Sequence, residues 1–178
     1  MSAIRNKKRS ANAKLSVLFI GAHPDDAEFQ VGGTAIKYVE GGHKVTFLSM
    51  TNGDAGHQEM AGAALAQRRY KETRAVAKFL GIDYIVLDNH DGQLQDTVEN
   101  RDSLIRIIRE IRPQLVITHR PNDYHTDHRH TSLIVQDAAY LVAVPNVCPL
   151  SPRLDYNPVI VYHQDNFSKP YAFQPDVL

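Results

Sequence analysis

The chain has 178 residues, 43% of them hydrophobic, so it can bury one good core but is too short for a second full domain. Its 20 basic and 20 acidic residues cancel, which argues against nucleic acid as a partner. Cys148 is the only cysteine, so an internal disulfide and an all-thiolate zinc site are excluded, and a reducing compartment is favoured. Any bound metal must therefore use histidine and carboxylate ligands.

The N-terminal region has some features of a secretory signal, because basic residues precede the apolar run from Leu15 to Ala22. That run is short, contains Ser16 and Gly21, and is better interpreted as a buried strand. No stretch approaches the ~20 apolar residues that a membrane span needs. We therefore expect a cytoplasmic protein with no membrane span, a flexible basic tail over residues 1–13 and a single domain over residues 14–178.

Strand and helix patterns alternate along the whole chain. Apolar or β-branched runs predict strands at residues 15–21, 44–50, 83–87, 114–118 and 159–162. Amphipathic or glycine-ended segments predict helices from the turn at residues 22–26 to about Glu40, before Gly81, at residues 100–111 and at residues 127–142. This order predicts an α/β, Rossmann-like open sheet, mostly parallel, with helices on both faces. Ligands of such sheets bind beyond the carboxyl ends of the strands, which directs attention to the loops after strands one, two and four.

The first candidate site is the turn after strand one, His23-Pro24-Asp25-Asp26. Two acids at this point would repel a phosphate unless a cation lay between them. His23 and Asp26 are three residues apart and can share a metal, whereas Asp25 faces another direction, as a general base for a water molecule requires. The alternative is that acids in a first helical turn only stabilise the helix dipole.

The second candidate site is His125-Thr126-Asp127-His128, after strand four, where two histidines again share a face. The alternative is a solvated, histidine-rich loop. Both clusters, however, fall at strand exits on the same edge of the predicted sheet. Two histidines and one carboxylate form a recognised catalytic zinc set with one position open for water. We therefore predict Zn²⁺ held by His23, Asp26 and His128.

Four motifs follow one another in an order that is itself informative: Ala22-His23-Pro24-Asp25-Asp26, Thr51-Asn52-Gly53-Asp54, Arg69-x-x-Glu72 and His125-x-Asp127-His128-Arg129. In these motifs, and over about residues 15–165, the chain resembles the PIG-L/LmbE-like zinc-dependent de-N-acetylases. The resemblance implies an N-deacetylase that acts on a linear amide of a small N-acetylated sugar, an N-acetylglucosamine conjugate, and releases acetate and a free amine.

The same resemblance implies a role for each matching residue. These roles are zinc ligation by His23, Asp26 and His128, general base catalysis by Asp25, oxyanion stabilisation by His125 tuned by Asp127, and substrate contact by Arg69. Asn52 and Asp54 are hydroxyl-binding residue types on a loop that should ring the metal, and we predict that they contact substrate too, although such residues are equally ordinary in loops. Arg69 is also compatible with an exposed helix position.

Two features depart from the family pattern. Ala27 stands where many members have a further acid, and members usually continue past the point where this chain stops, which leaves open a fragment with an incompletely covered substrate site. Two rival functions also remain: a metal-dependent hydrolase of another bond, such as a phosphoester, and a non-catalytic module whose loops zinc ties together. A homo-oligomer is compatible with the sequence but is not derivable from it.

Overall fold

The computed structural model describes residues 13–177, so the predicted tail over residues 1–13 lies almost entirely outside the described residues. Five strands form one sheet: β1 (Ser16–Gly21), β2 (Lys44–Thr51), β3 (Asp83–Asn89), β4 (Leu115–Thr118) and β5 (Val159–Tyr162). Their order is β3-β2-β1-β4-β5, and every pair of neighbours is parallel. The predicted Rossmann-like parallel sheet is confirmed.

Four helices connect the strands: α1 (Asp26–Glu40), α2 (Gly62–Leu80), α3 (Val98–Ile111) and α4 (Thr126–Leu141). Two of the helix ends illustrate a local cause. Gly81 ends α2 in the left-handed conformation at φ 68°, which glycine adopts without strain. Thr97 begins α3, because its side chain accepts a hydrogen bond from the backbone N–H of Asn100. Local signals of this kind explain why the predicted helices lie close to the observed ones.

Helices cover both faces of the sheet, as predicted. Alternate residues of a strand point to opposite faces, so Val17 and Phe19 of β1 pack with α1 and α2, whereas Leu18 and Ile20 pack with α3 and α4. This burial on two sides explains the continuous apolar runs from which the strands were predicted. Within residues 13–177, none of the helices is both long enough and apolar enough to cross a membrane.

The central strand sets the position of the site. β1 pairs with β2 on one side and with β4 on the other. Strands β2 and β3 therefore lie on one side of β1, and strands β4 and β5 lie on the other, which makes β1 the point where the strand order switches. Ile20 near the end of β1 lies opposite Thr118 at the end of β4. The loops that follow these two strands therefore leave the sheet side by side, at the place where open α/β folds bind ligands.

A buried arginine organises the irregular segment after α4. Arg109 of α3 is only 3% exposed. Its guanidinium donates hydrogen bonds to the backbone carbonyl oxygens of Leu141, Val142, Val144, Val147, Cys148 and Ser151. One side chain thus ties together the end of α4 and the segment that follows it, and it supplies the donors for Val147 O and Ser151 O, whereas the other four carbonyls also accept a backbone N–H.

Candidate active site

The turn after β1 folds the Asp26 carboxylate back over the end of the strand. Asp26 Oδ2 accepts hydrogen bonds from the backbone N–H groups of Ala22 and His23, each at 2.8 Å. Gly21 permits this close approach, because a Cβ atom at residue 21 would lie 2.8 Å from the Cβ of Asp26. The buried Asp26 is therefore fixed by its own turn before any other element contributes.

The three predicted metal ligands come together. His23 Nδ1 lies 3.6 Å from Asp26 Oδ2, and His128 Nε2 lies 3.4 Å from Asp26 Oδ1. The ring centres of His23 and His128 are 5.2 Å apart. The turn after β1 and the first turn of α4 thus supply donors to one small volume, although the assignment of these residues as ligands stays a prediction.

The other ring nitrogen of each histidine is held by a carboxylate. His23 Nε2 lies 3.1 Å from Asp127 Oδ2 and 3.2 Å from Asp91 Oδ1, and His128 Nδ1 lies 3.0 Å from Asp123 Oδ1. A carboxylate partner on one nitrogen fixes the ring and leaves the second nitrogen free to bind a metal. The facing nitrogens, His23 Nδ1 and His128 Nε2, are the ones nearest Asp26.

The donors in this volume form overlapping groups that suit a divalent cation, with His23, Asp26 and His128 divided between two of them that share His128. Ring nitrogens of His23, His125 and His128 lie within 4.8 Å of one another, and so do ligand atoms of Asp26, His119 and His128. Burial alone would lower the pKa of His23, but hydrogen bonds to Asp127, Asp26 and Asp91 raise it to about 12, so the surroundings strongly favour positive charge. Imidazole and carboxylate donors of this kind suit zinc and related metals.

Asp26 keeps its charge although it is buried. Burial favours the neutral acid, yet hydrogen bonds from His119, His128 and His23 hold the pKa of Asp26 well below its usual range. An ionised carboxylate is the form that binds a metal. The residue is therefore prepared as a ligand.

Asp25 lies beside these groups but points elsewhere, as predicted from its position in the turn. It precedes α1 without using its side chain as a cap, and its Oδ2 lies 3.4 Å from Arg69 Nη2. Burial and the neighbouring Asp26 raise the pKa of Asp25, and Arg69 lowers it in part. A carboxylate whose pKa is shifted towards neutrality is better suited to accept and return a proton.

His125 and Asp127 are both close to the metal ligands, but they do not pair with each other through their side chains. His125 Nδ1 accepts a hydrogen bond from the backbone N–H of Asp127, which leaves the other ring nitrogen available. The Asp127 carboxylate accepts from the backbone N–H groups of Gly92 and Leu94 and contacts His23. The expected tuning of His125 is therefore electrostatic only: burial and His23 lower the pKa of His125, and the Asp127 charge opposes them.

An open cavity of about 580 Å³ reaches these groups. Asp25, Arg69 and His125 line it together with Phe29 of α1, Tyr124 of the loop after β4 and Asn166 of the segment after β5. Arg69 is thus placed where the predicted substrate contact requires. Its guanidinium also touches Asp25, which the sequence did not indicate.

Asn52 and Asp54 are placed differently from the prediction, since neither lines this cavity. The Asn52 side chain donates to Asp88 Oδ1 and accepts from the backbone N–H of Asp54. Asp54 contacts His90 at 2.6 Å and accepts from the backbone N–H of Asp91. These polar atoms tie the loop after β2 to β3 and the loop that follows it, and contact of the two residues with substrate stays a prediction.

Sequence reasoning assigned no role to four residues of this region, Asp91, His119, Asp123 and His163, of which the first three contact predicted metal ligands and His163 contacts His119. A signal existed for two of them. His119 follows β4 directly and His163 follows β5 directly, at the same edge of the sheet as His23. Asp91 belongs to the loop after β3, which was left out when only the loops after strands one, two and four were considered.

The fold and the site together define a class: an α/β protein with a cation-binding set of His and Asp side chains at the switch point of a parallel sheet. Comparison with known families narrows this class. Residues 18–139 match the PIG-L family model, described as GlcNAc-PI de-N-acetylase. The chain belongs to the PIG-L family.

Individual relatives agree with this assignment. The chain is 36% identical over 136 residues to a diacetylchitobiose deacetylase of Thermococcus kodakarensis, covering 73% of this chain and 51% of that protein. It is 32% identical over 162 residues to the 1D-myo-inositol 2-acetamido-2-deoxy-alpha-D-glucopyranoside deacetylase 2 of Catenulispora acidiphila, covering 74% and 53%. The N,N'-diacetylchitobiose deacetylase of Pyrococcus horikoshii has a similar structure, with a TM-score of 0.78, 28% identity and coverage of 88% and 62%. The chain thus spans about half the length of the curated relatives it matches.

Proposed function

We propose that the protein is a zinc-dependent hydrolase that removes the acetyl group from a small N-acetylated amino sugar, an N-acetylglucosamine conjugate, to give acetate and a free amine. The observation that carries this proposal is the convergence of His23, Asp26 and His128 on one small volume, with Asp25 in the same cavity. The names of the relatives, which are deacetylases of diacetylchitobiose and of a glucosaminyl inositol, support the substrate class.

The ligands in this proposal are His23, Asp26 and His128. Zinc bound there would polarise the amide carbonyl and lower the pKa of a water molecule. Asp91, Asp123 and Asp127 keep the two imidazoles oriented from the far side of each ring. The protein therefore contributes a rigid and negatively charged surrounding for the cation.

Asp25 acts as the general base. Its carboxylate takes a proton from the attacking water and returns it to the nitrogen of the departing amine, for which a raised pKa is favourable. Arg69 holds this carboxylate from the opposite wall and, in this proposal, also contacts the substrate. Asp25 alone can thus serve both proton transfers of the hydrolysis.

His125 stabilises the oxyanion that forms when the carbonyl is attacked. Its Nδ1 accepts from the backbone N–H of Asp127, so a neutral ring carries its hydrogen on Nε2 and can donate it into the cavity. One such donor typically lowers the barrier by about 3–4 kcal/mol. The role therefore needs no additional proton on His125.

The proposed setting is the cytoplasm. The only cysteine, Cys148, is free, which is compatible with a reducing compartment. A small sugar substrate that diffuses to an open cavity fits this setting. A homo-oligomer is a separate proposal, which a measurement of molecular mass in solution tests.

Acetate release tests the proposal. Zinc-loaded protein is incubated with diacetylchitobiose, N-acetylglucosaminyl inositol and simple N-acetyl amines, and acetate is measured together with bound zinc. We expect release from the sugars, a loss of kcat of about 10²–10⁴-fold in Asp25→Asn with zinc retained, and loss of both zinc and turnover in His128→Ala. His130→Ala is the matched control, because His130 pairs with Asp96 on the outer side of the same helix.

Three outcomes would overturn the assignment. Equal zinc content and activity in Asp25→Asn and His128→Ala would refute the residue roles. Turnover of phosphoesters in place of amides would refute the reaction. Zinc held by four protein ligands, with no turnover of any substrate, would indicate the non-catalytic module.

A further inference from the structure

His119, which the proposed reaction does not use, contacts two of the three proposed metal ligands. It follows β4 directly and is completely buried. Its Nε2 lies 3.1 Å from Asp26 Oδ2, and its ring stacks on His128 with centres 3.9 Å apart and planes 13° apart. A buried histidine in this position can control the geometry of both ligands.

The hydrogen bonds of Asp26 are divided unequally between its two oxygens. Oδ2 faces the backbone N–H groups of Ala22 and His23 and the ring of His119, whereas Oδ1 faces His128 Nε2. The backbone N of Ala22 lies 2.8 Å from Asp26 Oδ2 and 3.2 Å from His119 Nε2. With the Ala22 hydrogen directed at the nearer Oδ2, and because a carboxylate oxygen only accepts hydrogen bonds, His119 Nε2 in this inference carries the hydrogen that points to Asp26. The arrangement occupies Oδ2 and leaves Oδ1 for a metal.

A second histidine supports the first. His163, directly after β5, is buried, and its Nε2 lies 3.1 Å from His119 Nδ1. The Phe19 ring packs against both imidazoles, with centres 6.5 Å from His119 and 5.6 Å from His163. Asp26, His119 and His163 thus form a line that runs from the site into the core.

We propose that His119, held in place by His163, is a positioning residue that selects Oδ1 of Asp26 for the metal and fixes the ring plane of His128. The inference rests on the ligands named in the proposed function. Carboxylate or imidazole partners of metal ligands commonly change metal affinity 10- to 100-fold when they are removed. The same order is expected here, without any contact between His119 and the substrate.

The test measures zinc affinity of the full chain by competition with a chromophoric chelator, and the thermal midpoint of the metal-free protein. His119→Phe keeps the stacked ring but removes the donor to Asp26, and should weaken zinc binding about 10- to 100-fold. His119→Gln places an amide N–H near the same position and should recover most of this loss. His163→Phe keeps the packing against Phe19 and should weaken binding by a smaller factor. His43→Gln, at a half-buried histidine that accepts from the backbone N–H of Leu15, is the control and should leave zinc affinity unchanged.

Unchanged zinc affinity in His119→Phe, with only a lower midpoint of the metal-free protein, would show a purely structural residue and overturn the inference. Should that variant not fold, a full 10- to 100-fold loss in His119→Gln, or unchanged affinity in His163→Phe, would overturn it as well. Neither the zinc affinity nor the thermal midpoint depends on catalytic turnover. Absent acetate release together with the expected affinity losses would therefore refute the proposed function and leave this inference standing.

Discussion

The two ends of helix α4 use buried polar groups in opposite ways. At the first turn, His125 and His128 line a cavity together with His23, and ring nitrogens of the three histidines lie within 4.8 Å of one another. At the last turn and just beyond it, the guanidinium of Arg109 donates to six backbone carbonyl oxygens between Leu141 and Ser151. Buried polar atoms that find each other stabilise a fold, whereas buried polar atoms that face a shared gap can bind a ligand.

The charges at the two ends follow the helix dipole only in part. Arg109 brings positive charge to the carbonyl end of α4, which the dipole favours. The amino end carries Asp127, whose negative charge the dipole also favours. It carries in addition the imidazole rings of His125, His128 and the neighbouring His23. Carboxylates hold the outer ring nitrogens of two of these imidazoles, those of His23 and His128.

The largest effect is expected when Arg109, which fills the carboxyl end of α4 with hydrogen bonds, is replaced. Arg109→Met keeps most of the apolar stem but removes six hydrogen bonds, among them the donors of Val147 O and Ser151 O, and should lower the free energy of unfolding by about 3–4 kcal/mol. Chemical denaturation measures this loss. Arg106→Met, one turn earlier on α3 where the guanidinium contacts only Cys148 Sγ, should change stability by less than about 0.5 kcal/mol. If the folded Arg109→Met protein also lost zinc affinity, the two ends of α4 would be coupled, and the contrast between a stabilising end and a ligand-binding end would not hold.

The opposite end is tested with Asp123, which is 2% exposed and orients His128 through its Nδ1. Asp123→Ala should weaken zinc binding about 10- to 100-fold, because the ring loses the partner that fixes it. Chelator competition measures the effect. Asp96→Ala removes a similar carboxylate–histidine pair, with His130 on the outside of α4, and should leave zinc affinity unchanged. Equal effects in the two variants would mean that the location of the pair is irrelevant.

The smallest expected effect comes from an ordinary helix start. Thr97 is exposed and accepts from the backbone N–H of Asn100 at the beginning of α3, far from any cavity-lining residue. Thr97→Ala should cost about 1 kcal/mol in unfolding free energy, with no change in zinc affinity. Thr97→Ser retains the hydroxyl and should remain close to the parent. If both variants lost the same stability, the cap would not be the cause.

The elements were predictable because their causes are local. The apolar run of β1 and the glycine after α2 act within a few residues, and both boundaries agree with the structure. β3 extends two residues further than predicted, to Asn89, because Asn89 completes pairing with Thr51 beyond an irregularity in the register. Such an extension depends on a neighbouring strand and has no counterpart in the local pattern.

The proximity of His23, Asp26 and His128 was predictable because each lies in a short motif near a strand exit, while their role as ligands stays a prediction. The position of a side chain was not predictable from the sequence where two loops meet. Asn52 was expected to face the ligand, but it bonds to Asp88 of β3, and His119 lies at a strand exit without any motif to distinguish it. Residue type alone does not say whether a polar loop side chain faces the cavity or another loop.

The pairing of β1 with β4 has a consequence for how the site comes into being. Residues 23 and 127, which touch, are separated by 104 positions in the chain, and the pairing of β1 with β4 brings their loops alongside each other. A polypeptide that has emerged only as far as β3 holds His23 and Asp26 without their counterparts. The proposed metal site therefore forms only after both halves of the sheet have joined.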